Sequence, residues 1–97
     1  MKIENLEDLK KELIEFHKIK DEIFKIDNQR FVYAFLKTKE ELEDLEKKRK
    51  YETIMLKAKM RKIYRAIKEA GKDFKYLMNF NGIERKNLFE EETLNKL

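Results

Sequence analysis

Residues 29–71 read QRFVYAFLKTKEELEDLEKKRKYETIMLKAKMRKIYRAIKEAG, and the spacing of apolar side chains in that stretch decides the fold. They recur four, seven and three residues apart through Phe31, Phe35, Leu42 and Leu45, and in steps of three or four through Leu56, Met60, Ile63, Ile67 and Ala70. That is the period of one helix face. No residue before Gly71 is a helix breaker, because the chain has no proline and its only glycines are Gly71 and Gly82. The pattern predicts one long helix over residues 29–71, about 60 Å from end to end. Two features cut against it. Thr38 followed by Glu41 has the capping-box pattern of a helix start, and Arg49 and Glu52 place charge where the apolar register would continue. Continuity is the preferred reading, since helix formers flank Thr38 and neither Gly nor Pro accompanies it.

Working outward, residues 1–28 form a first helix. Asn5, with Asp8 three residues on, is the expected N-cap, and Leu6, Leu9, Leu13, Phe16, Ile19, Ile23 and Ile26 supply the stripe. Asp27, Asn28, Gln29 and Arg30 interrupt it and are read as a short turn, after which the chain doubles back antiparallel. Beyond the stop at Gly71, residues 72–97 form a short helical tail. Phe74 to Phe80 would be closed by Asn81-Gly82, and a last helix would start at Asn87 and bury Leu88, Phe89, Leu94 and Leu97. The fold class is all-α, an antiparallel helical hairpin with short C-terminal helices. A short first helix covers only half of a long second one, so Leu56, Met60, Ile63, Ile67 and Phe74 are expected to form a core or dimer stripe. A coiled-coil-like homodimeric bundle covers it most simply.

Composition narrows the function classes. The 97 residues make one small domain. With no cysteine and no serine, disulfides, thiolate metal sites and the commonest nucleophiles are missing. His17 is the single histidine, four residues before Asp21, and one imidazole with one carboxylate falls short of a metal site. The reading is a helix-edge histidine, partly exposed. Acidic runs at Glu40 to Glu46 and Glu90 to Glu92 lie between lysines and read as solvated faces rather than an acid/base pair. Two separated glycines cannot build a phosphate-cradling loop. The expectation is a non-enzymatic, cytoplasmic protein with no cofactor, no metal, no small-molecule substrate and no membrane association.

Charge carries the functional signal. Residues 47–86 hold 14 Lys or Arg against 4 Asp or Glu, whereas residues 1–46 hold 9 against 13. On a helical wheel advancing about 100° per residue, Lys50, Lys57, Arg61, Arg65, Lys68, Lys72 and Lys75 fall in a sector under a quarter-turn wide. The apolar stripe is centred about 140° away. Such a ridge suits nucleic-acid phosphates or an acidic protein surface, with Tyr64 and Tyr76 close enough to stack or hydrogen-bond. The rival is a purely structural interaction module whose lysines serve solubility and subunit pairing. A helix-turn-helix aligned on Ala66, Ala70 and Gly71, with Leu77 and Phe80 as second-helix core, is a weak match because Lys72 follows the glycine.

Overall fold

The computed structural model describes residues 1–33 and 38–97. Helix α1, Leu6–Tyr33, begins as its N-cap chemistry dictates. Asn5 Oδ1 accepts the Asp8 N–H at 2.9 Å, and Asp8 Oδ2 accepts the Glu4 N–H at 3.0 Å. The turn expected at Asp27 to Arg30 does not form, and α1 runs through it. Those polar side chains do not close the helix. Two of them face a second one: Asp27 receives Arg49 Nε at 2.6 Å and Arg49 Nη2 at 3.4 Å, and Arg30 Nη2 reaches Glu46 at 3.0 Å.

Helix α2, Lys39–Ala70, starts at Thr38, so the single helix over 29–71 is corrected to two. Thr38 is extended, and its Oγ1 accepts the Glu41 N–H at 3.3 Å. The hydroxyl satisfies one of the donors that a helix start leaves open, which is enough to begin a helix without Gly or Pro. Phe35 lies outside the described residues. The two helices are now matched, with 28 and 32 residues, about 42 and 48 Å long. They run antiparallel, because partners descend as numbers ascend. Lys59 sits against Glu12 and Glu15, Arg49 against Asp27, and Glu46 against Arg30.

Gly71, at φ 93°, separates α2 from α3, Lys72–Phe80. A Cβ there would meet no atom within 4 Å, so the position calls for glycine through its backbone conformation and not through crowding. After α3 the chain reverses at Asn81-Gly82, where the Ile83 N–H reaches back to the Met78 carbonyl at 2.9 Å and Ile83 is fully buried. A 3-10 turn, Arg85–Asn87, and helix α4, Glu91–Asn95, complete the tail. Asn87 does not cap α4 as expected. Its Oδ1 accepts the Glu84 N–H at 2.7 Å, and its carbonyl accepts the Thr93 hydroxyl.

The tail folds back onto α1 and α2, giving the molecule two unequal halves. At one end three layers meet around Leu9, Leu13, Phe16, Ile63, Ile67, Phe74, Met78, Ile83 and Leu88. Each fully buried Leu or Ile there contributes about 1.5–3 kcal/mol of transfer free energy. At the other end α1 and α2 pack on each other with no third element among the described residues. Ile26 is buried but Phe24, Phe31 and Val32 are exposed, Phe31 at 82%. The fold is all-α among the described residues, a hairpin with short C-terminal helices packed on its root.

Candidate nucleic-acid interface

Lys50, Lys57, Arg61, Arg65 and Lys68 project from the face of α2 opposite its core stripe, and all five are exposed. Lys72 and Lys75 are exposed too but belong to α3, beyond the change of direction at Gly71. The seven-residue row is therefore two segments, and a single wheel describes it only as far as Ala70. The carboxylates of α1 do not cover it. Among the described residues they pair with Arg49, Lys59 and Lys25, none of which belongs to the ridge, and no ridge residue makes an ion pair. The side-chain contact found within the ridge is Arg61 Nε to the Lys57 carbonyl at 3.3 Å, which orients the guanidinium along the helix.

The two basic residues that α1 does engage serve its packing. Lys59, 15% exposed, lies between Glu12 and Glu15. Burial alone would lower its pKa, but hydrogen bonds and charge from both carboxylates outweigh that and raise it, while the Lys59 hydrogen bond holds Glu15 below the usual carboxylate range. Asp27 and Arg49 shift each other likewise, chiefly through their hydrogen bonds, Asp27 downward and Arg49 upward. The positive segment thus divides by job: Arg49 and Lys59 hold the hairpin, and the ridge faces water.

Geometry also revises the residues around the ridge. Ile54 falls inside its sector, at about 60° on the same wheel, and is 63% exposed. Tyr51, also exposed, borders it. Both were readable from spacing alone. Lys47, at about 80° and exposed, falls in the same sector beyond the end of the ridge. Tyr64 is not free to stack, because the Phe89 ring meets it edge-on at 5.2 Å and the Arg85 guanidinium lies 4.7 Å from its centroid. Tyr76 is exposed on the side of α3 opposite its buried residues Phe74 and Met78. The core stripe is internal: Ile63, Ile67 and Phe74 are buried, and Leu56 and Met60 pack against them. The helix-turn-helix alignment fails on its own terms, since Leu77 and Phe80 are exposed where it needs core.

His17 is buried, 8% exposed, rather than at a helix edge. It stands edge-on to Phe16, with ring centroids 5.2 Å apart, and its Nε2 has no hydrogen-bond partner among the described residues. Burial first, then Lys20, lower its pKa against the opposing pull of Glu91 and Asp21. Among the described residues no three His, Asp or Glu side chains are grouped to hold a metal ion, and no helix is long and apolar enough to cross a membrane.

The chain matches no protein-family model, no curated protein and no solved structure. Function is therefore argued from this geometry alone.

Proposed function

We propose that the chain is a non-enzymatic nucleic-acid-binding protein that lays the basic face of α2 along a phosphate backbone. The observation that carries this reading is the division of positive charge, because Glu12, Glu15 and Asp27 of α1 engage Lys59 and Arg49 while, among the described residues, the ridge from Lys50 to Lys68 makes no ion pair and is exposed. A ridge serving only solubility needs no such alignment on one face, whereas phosphate neutralisation does. Exposed Ile54 and Tyr51 within and beside it offer apolar and aromatic contact to sugars and bases. Titrating labelled duplex and single-stranded DNA and RNA at about 50 mM salt, where phosphate contacts are strongest, tests this directly. Absence of association with every strand refutes it.

A second reading is a protein-interaction module, in the first instance a homodimer. The apolar stripe of α2 is covered within the chain, so that stripe gives no reason for a second copy. The specific observation in favour lies elsewhere. Phe24 and Phe31, seven residues apart on one face of α1, are exposed where the hairpin has no third layer. Sedimentation equilibrium at micromolar concentration tests it, with Phe24→Ser and Phe31→Ser expected to shift the molecule toward monomer.

A further inference from the structure

A cleft of about 730 Å³ opens where the end of α2 meets α3 and the 3-10 turn. Four basic side chains line it: Arg65 and Lys68 from α2, Lys75 from α3 and Arg85 from the turn. No carboxylate lines it, and among the described residues none of the four makes an ion pair. Arg85 is held in place over the Tyr64 ring at 4.7 Å, and Tyr64 is itself wedged against Phe89. Three separate chain segments thus bring positive charge to one concavity, at a cost in mutual repulsion that an anion would relieve.

The charge density differs from that of the ridge, where successive cations follow one helix face. A backbone phosphodiester carries one negative charge, whereas a phosphomonoester carries about 1.5 to 2 near neutral pH and offers three acceptor oxygens. Four converging cations suit the second. Arg65 and Lys68 belong both to the ridge and to the cleft, so a strand following α2 arrives here. We propose that the cleft seats the terminal phosphate of a nucleic-acid strand whose backbone lies along α2. The proposal rests on the nucleic-acid reading and adds strand-end recognition to it. The cleft is larger than a phosphate group needs, and Asn79 on its wall provides amide donors and an acceptor for the adjoining sugar or base.

The test uses the full chain and oligonucleotides of one sequence carrying a phosphate at the 5′ end, at the 3′ end or at neither, followed by fluorescence anisotropy at fixed ionic strength. A phosphate at one end is expected to tighten binding about tenfold, the gain of one further charge-assisted hydrogen bond. An Arg85→Ala variant is expected to lose that preference while keeping its affinity for the hydroxyl-ended strand. Lys50→Ala/Lys57→Ala is expected to weaken all strands alike, and circular dichroism confirms that both variants fold. Equal affinity for every end, with binding still strongly salt-dependent, overturns the cleft assignment and leaves the ridge reading standing. No association with any strand removes both. A nucleoside monophosphate that binds the cleft as tightly as the phosphorylated strand end assigns the site to free nucleotides and overturns the strand-end proposal.

Discussion

Replacing Arg61, Arg65 and Lys68 together by Gln removes three of the five ridge cations on α2 without reversing charge. From Lys50 to Lys68 the ridge is about 27 Å long, and on duplex DNA one strand presents a phosphate about every 3.4 Å of axis. About eight phosphates therefore pass beneath it, and side-chain number, not phosphate supply, limits the contacts to about five. With a log-log slope of about −0.9 per contact, the native chain should show about −4.5 and lose about 500-fold in affinity between about 50 and 200 mM salt. The triple variant keeps two contacts, so its slope should fall to about −1.8 and its loss over that range to about 12-fold. Fluorescence anisotropy on a short labelled duplex, repeated at several salt concentrations, measures both slopes. Lys10→Gln/Lys11→Gln, on the exposed surface of α1, should leave the slope unchanged. A triple variant that binds more weakly but with the native slope would refute the reasoning, because affinity would then depend on something other than phosphate neutralisation by this face.

Three further outcomes follow from the fold. Gly71→Ala meets no steric obstacle but forces a Cβ onto φ 93°. It should cost about 1–3 kcal/mol, lowering Tm by roughly 5 °C per kcal/mol, and an unchanged melting curve would show that the break does not depend on left-handed backbone. Thr38→Ala removes the hydroxyl that caps α2 and should cost about 1 kcal/mol; urea unfolding with an unaltered midpoint would argue against the cap. His17 is held below its ordinary pKa of 6.5 by burial, so the unfolded chain takes up its proton first. Stability from this residue is complete above pH 6.5 and should decline as pH drops below it, a decline that His17→Gln flattens; parallel pH dependences for the two proteins would count against a buried neutral imidazole.

The all-helical class, the Asn5 cap and the ridge as far as Lys68 are written in local spacing that the fold leaves intact, whereas Gly71 sets Lys72 and Lys75 on a separate helix. Two misreadings have a common source. Asp27 was taken as part of a turn and Arg49 as a fault in an apolar register, yet the two are one bidentate pair across the hairpin. A single polar residue in a stripe reads as an interruption until its partner, 22 residues away, is known. Thr38 carried the capping signal openly, but the propensity of its neighbours outweighed one hydroxyl in a local reading. Once α1 lengthens and α2 begins later, the mismatch in helix length disappears, and the tail supplies the cover that a second copy had been invoked to provide. The cleft was not legible at all, since Arg85 reaches Arg65 and Lys68 only through the reversal at Gly82 and the burial of Ile83 and Leu88.

The unequal packing of the hairpin makes it a cantilever. Its root is clamped by three layers around Leu13 and Ile63, while along the free arm the described residues include the Asp27–Arg49 and Arg30–Glu46 pairs and, of the buried apolar side chains, Ile26. Over the described residues, resistance to local opening falls from the root toward Ile26 and Arg49, as the density of buried contacts falls. The basic ridge runs along this gradient, with Arg65 and Lys68 at the clamp and Lys50 out on the arm. On the proposed nucleic-acid reading, a curved phosphate path would be followed by bending the arm while the root keeps its shape, a rigid reference point joined to a compliant lever.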